Sequence, residues 1–146
     1  MKTISLITMI ITSFGLSAQT QTEVTAKSEF GLLHCQQVKT INFTDGEKYC
    51  DVVVSFRNMD WYVDTAEVVL TNTDILDQFK RELKLCIDYI ELKQKDKTKL
   101  VYTNSHYSLV IHDFPNRIYL YDPSMGYTVM TMREAHALLV WLNGLS

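Results

Sequence analysis

The sequence predicts an α+β domain: an antiparallel sheet of six to seven strands with two helices packed on one of its faces. Three observations lead there. Asp45-Gly46 sits between two apolar runs, and this dipeptide is a strong hairpin signal because both positions accept positive φ. Two stretches, one after Thr73 and one after Thr131, carry apolar residues at helical spacing. Strand-like runs precede each of them. The order reads three strands, helix, three or four strands, helix, and strands segregated from helices favour an antiparallel sheet.

The first residues set the compartment. Lys2 is followed by an apolar run of thirteen residues, Ile4 to Leu16, and then by the small residues Ser17 and Ala18. That is the three-part pattern of a secretory signal peptide, and the run is shorter than the ~20 residues needed to span a bilayer. Residues 1–18 are therefore expected to be removed, with cleavage near Ala18, leaving a secreted or periplasmic protein with no membrane span. Residues 19–29 are polar and without periodicity, and read as a flexible segment. A single domain is expected over 30–146. Losing residues 1–18 removes Lys2 and no acid, so the formal charge moves from −3 to −4. With no basic excess, a nucleic-acid partner is not expected.

The remaining elements follow in order. Arms of about 35–43 and 48–56 flank Asp45-Gly46. With these two residues as the loop, Ile41 opposes Cys50 and Cys35 opposes Phe56. One face then carries Cys35, Ile41, Phe43, Cys50, Val52, Val54 and Phe56, and is the better core face. A third strand is expected between Trp61 and Thr71, rich in aromatic and β-branched residues. Thr73 or a neighbour caps the first helix, whose buried stripe is Ile75, Phe79, Leu83, Cys86 and Ile90. The lysines at 93, 95, 97 and 99 suit its solvated end. "HYSLVIH" and "RIYLY" flank the turn-forming Asp113-Phe114-Pro115-Asn116. Tyr127 to Met130 supplies a short further strand. Thr131 and Glu134 match a capping box, and Ala135, Leu138, Leu139 and Leu142 form the buried stripe behind it.

Three cysteines leave one unpaired in any monomer. Cys35 and Cys50 lie on one face but some 20 Å apart along the strand, beyond the ~7 Å that a disulfide tolerates between Cα atoms. A bridge from Cys86 to Cys50 or to Cys35 is open geometrically. So is the alternative of three buried thiols acting as small apolar residues. In either case Cys50 reads as structural.

No chemistry-bearing motif stands out. His34 adjoins Cys35, but neighbours on a strand point to opposite faces. There is no zinc spacing, G-x-S-x-G, P-loop or dinucleotide fingerprint, so no catalytic residue, metal or cofactor is predicted. His106 and His112 are read as lying on one face of one strand, too far apart to share a metal. The most suggestive constellation is the face of the hairpin around Pro115 opposite Leu109, Ile111, Ile118 and Leu120. It carries His106, Ser108, His112, Arg117, Tyr119 and Tyr121. Tyrosine offers rigid area with a hydrogen bond and arginine offers directed donors. The expected function is a non-enzymatic binding domain for another protein or a surface ligand. The alternatives are a small exported hydrolase using dispersed residues such as His112, Asp113 or Asp122, and a structural subunit of an envelope assembly.

Overall fold

The computed structural model of the chain describes residues 20–59, 65–92, 100–112 and 116–145. The expected signal peptide, the start of the third strand and the lysine-rich segment 93–99 lie outside them. The order is β1 (Thr20–Phe30), β2 (Leu33–Asn42), β3 (Lys48–Arg57), β4 (Thr65–Leu70), α1 (Thr73–Glu91), β5 (Leu100–Thr103), β6 (Ser108–Ile111), β7 (Arg117–Tyr121), β8 (Tyr127–Thr131) and α2 (Met132–Asn143).

The α+β class holds, but the strands form two antiparallel four-stranded sheets instead of one of six to seven. Sheet A is ordered β1-β2-β3-β4 and sheet B β5-β6-β7-β8. Each is a plain meander followed by a helix. The break comes at α1, whose nineteen residues separate β4 from β5. Hairpins pair strands joined by short turns, and a helix in the connection removes that proximity. Where the sheets approach, the Met59 N–H donates to the Tyr127 carbonyl at 2.9 Å.

Residues 20–29, expected as a flexible segment, belong to β1, which pairs along its length with β2. Lack of periodicity was a poor guide because β1 carries a bulge: the register shifts between Val24 and Ala26. An extra residue reverses the inward and outward sets and erases alternation from the sequence. The strand turns into β2 through Gly31-Leu32, with Gly31 at φ +59°. A Cβ on Gly31 would lie 2.2 Å from Glu134 Oε1.

The β2–β3 turn also departs from expectation. Asn42 N–H donates to the Glu47 carbonyl and Gly46 N–H to the Asn42 carbonyl, both at 2.8 Å. Residues 43–46 therefore form a four-residue loop, with Gly46 at φ +72°. Its side chains support it: Asn42 Oδ1 accepts from Thr44 N–H and Asp45 Oδ1 from Glu47 N–H. The register is two residues off the two-residue-loop expectation, so Cys50 opposes Lys39 and Cys35 opposes Val54. An even slip preserves the faces. Cys35, Val52, Val54 and Phe56 are buried as expected, while Phe43 and Cys50 lie outside the core and are exposed.

Both helices pack on the inward faces of the two sheets and share one core with them. Val54, Phe56, Val68 and Leu70 from sheet A meet Leu109, Ile118, Leu120 and Met130 from sheet B. Helix α1 buries Phe79, Leu83, Cys86, Ile87 and Ile90, and Asn72 caps it by accepting from Ile75 N–H at 2.8 Å. Helix α2 has the full capping box between Thr131 and Glu134, and it buries Ala135, Leu138 and Leu142. The bridge from Cys86 to Cys50 or Cys35 is not formed: all three thiols are free. Burial pushes the Cys35 and Cys86 thiols up to about 12, as expected where the thiolate would be desolvated.

The β5–β6 turn is tied to α1 through Tyr107. Its buried ring meets Phe79 edge-on at 4.9 Å, and its hydroxyl donates to Glu82 Oε2 at 2.6 Å. Burial, then the carboxylate, raises the phenol's pKa above its ordinary value.

Candidate binding face

Sheet B turns one face to the core and the other outward. Along β7, Ile118 and Leu120 are buried, while Tyr119 and Tyr121 between them point away from the core and are half-buried. The ladder places two rows across the outer face. Val101, Val110, Tyr119 and Val129 oppose one another in sequence across the four strands, and Thr103, Ser108, Tyr121 and Tyr127 form the next row.

Four aromatic rings meet on this face. His112 stands edge-on to Tyr119 at 4.5 Å between ring centroids. Tyr119 lies 6.0 Å from Tyr127, and Tyr127 lies 5.3 Å from Tyr121. His112 Nε2 and the Tyr121 hydroxyl are 3.2 Å apart, within a hydrogen bond. The rings thus form one connected group from β7, β8 and the residue that follows β6. Val110, only 5% exposed, sits among them as an apolar floor.

Of the six residues expected here, the structure brings His112, Tyr119 and Tyr121 into direct contact, with Ser108 opposite Tyr121. Arg117 starts β7 opposite Thr131 and is exposed. His106 is not on the strand, so the two histidines do not share a strand face. Strand β6 begins only at Ser108. His106 lies in the preceding turn, where its N–H donates to Asn104 Oδ1 at 2.8 Å. Asn104 also accepts from Tyr107 N–H, and this Asx-type closure cuts the strand short.

Tyr127 completes the cluster and was absent from the expected set. The signal for it is present in the sequence. Thr128 and Met130 alternate with Tyr127 and Val129, and a tight turn through Asp122-Pro123-Ser124-Met125-Gly126 brings Tyr127 opposite Tyr121. Within that turn the Asp122 carboxylate accepts from Gly126 N–H at 2.6 Å.

The other histidines pair with surface carboxylates. His34 Nδ1 lies 3.1 Å from Glu29 Oε1, and His136 Nε2 lies 2.6 Å from Glu91 Oε1. Among the described residues, no three His, Cys, Asp or Glu side chains gather as metal ligands would. No helix among them is long and apolar enough to cross a membrane. Comparisons of the chain with protein-family models, with curated proteins and with solved structures find no match.

Proposed function

We propose that this chain is a secreted or periplasmic, non-enzymatic binding domain that holds another protein or a surface ligand on the outer face of sheet B. The observation that carries this reading is the connected group of His112, Tyr119, Tyr121 and Tyr127. Rings already packed against one another have lost most of their rotamer freedom, so little further ordering opposes binding. Their edges and hydroxyls present polar contacts on an apolar base. Arg117, exposed on the same strand, adds a charged donor at the rim. The compartment rests on the charged, apolar and small-residue pattern of residues 1–18.

A hydrolase reading has less support. The Asp122 carboxylate is used by its own turn, and the His112 ring is held by Tyr119 and Tyr121. The test is capture from the exported fraction of the native host, comparing the natural chain with a Tyr119→Ala/Tyr121→Ala variant. The variant should lose the captured species while keeping its far-ultraviolet dichroism. Undiminished capture by a folded variant would sink the reading.

A further inference from the structure

Strand β1 forms an edge of sheet A, and among the described residues its ladder partner is β2. The two-residue turn at Gly31-Leu32 makes Phe30 and Leu33 the closing pair, which in such a hairpin is hydrogen-bonded. Bonded and non-bonded pairs alternate along an antiparallel ladder. Ala26, Ser28 and Phe30 thus direct their backbone groups to β2, whereas Lys27 and Glu29 direct theirs to the open edge. The bulge between Val24 and Ala26 limits the straight part of that edge to residues 26–30.

Two features say what fits there. Lys27 and Glu29 oppose Gln36 and His34, and so share the outer face of the sheet. Opposite charges two residues apart on one face are self-complementary about a two-fold axis through the residue between them. The backbone groups that point outward belong to these same two residues. We propose that a second copy of this chain adds to this edge, pairing β1 with β1 antiparallel about an axis through Ser28.

In that arrangement Lys27 of each copy opposes Glu29 of the other, and these two pairs exchange four backbone hydrogen bonds across the edge. On the inner face Ala26 opposes Phe30 of the second copy. Phe30 already packs edge-on to Trp141 at 6.1 Å, so Ala26 of the second copy meets a ring that is held in place. The four-stranded sheets A of the two copies become one continuous eight-stranded sheet. The contact is isologous and closes at the dimer. It also removes an exposed strand edge, which is otherwise an aggregation hazard. Glu29 keeps His34 within reach at 3.1 Å, so its second oxygen serves the new pair.

Sedimentation equilibrium of the full chain tests this. The natural protein should have twice the mass of one chain. Lys27→Glu and Glu29→Lys should each raise the dimer dissociation constant about tenfold or more, since each turns two attractive pairs repulsive. Mixing the two single variants, or combining both changes in one chain, should restore dimers. Lys27→Pro should stay folded and monomeric, because proline is tolerated on an edge strand where the lost N–H faces outward. The Tyr119→Ala/Tyr121→Ala variant should dimerise normally, which separates this edge from the sheet B face. A natural chain that is monomeric up to about 1 mM would overturn the proposal. So would a dimer indifferent to both charge reversals.

Discussion

Gly31 joins the first hairpin to the last helix, and replacing it tests both at once. In Gly31→Ala the new Cβ meets two obstacles. The first is the backbone itself: φ is +59°, and an L-residue with a side chain held there costs roughly 1–2 kcal/mol. Reduced freedom of the unfolded chain works the other way, favouring the folded state by about 0.4–1 kcal/mol, and offsets part of that strain. The second obstacle is Glu134, whose Oε1 and Cδ would lie 2.2 and 2.5 Å from the added carbon. The carboxylate is the end of a flexible chain and can move away. Moving it breaks its 2.8 Å bond from Thr131 N–H and so half of the capping box, worth about 1 kcal/mol. With the three terms combined, the expected destabilisation is about 1–3 kcal/mol.

The assay is equilibrium urea unfolding of Gly31→Ala, Glu134→Ala and the double variant. Because the side chain that blocks the new Cβ is absent from Glu134→Ala, Gly31→Ala should cost about 1 kcal/mol less in that background. Equal costs in both backgrounds would refute the steric contact between turn and helix. No cost in either would refute the demand for positive φ as well.

Two further predictions concern the core. The Thr128 hydroxyl is fully buried and, among the described residues, has no hydrogen-bond partner, so Thr128→Val should stabilise the protein by about 1 kcal/mol; a loss of stability in the same urea experiment would reveal a partner for the hydroxyl. Burial raises the Cys35 and Cys86 thiols from 9.0 to about 12, so folding favours their protonated form. Their contribution is complete below pH 9 and is lost as pH rises from 9 towards 12, at about 1.4 kcal/mol per pH unit for each thiol. Unfolding followed from pH 7 to 11 should show a plateau and then this fall, and native thiol labelling should modify Cys50 alone, because only it is exposed. A flat alkaline limb, or rapid labelling of three thiols, would contradict the burial of Cys35 and Cys86.

Much of this architecture was legible from local signals. The α1 stripe of Phe79, Leu83, Cys86 and Ile90 recurs from one helical turn to the next and the Thr131–Glu134 box lies within one turn, so helical geometry alone sets the neighbours. The alternation Ile118-Tyr119-Leu120-Tyr121 likewise sets two faces before any partner strand is known. The hairpin register was half legible. Side-chain alternation fixed which face is buried, but the loop length depended on Asn42 and Asp45 bonding to nearby backbone, which moved Cys50 out of the core.

What the sequence determined by itself, then, is everything governed by spacing along the chain: the α+β class, both helices with their buried stripes, and the division of β7 into an apolar and a tyrosine face. Tertiary structure decided what depends on residues far apart in sequence. It joined β1 to β2 across a bulge that hides alternation, and split the strands into two sheets around α1. It also placed Tyr127 against Tyr121 and Tyr119, completing the aromatic group. The physical reason is the same in each case: a helix or a strand face is set by local backbone geometry, whereas register, sheet membership and ring contacts are settled only when hydrogen bonds and packing between distant segments are satisfied together.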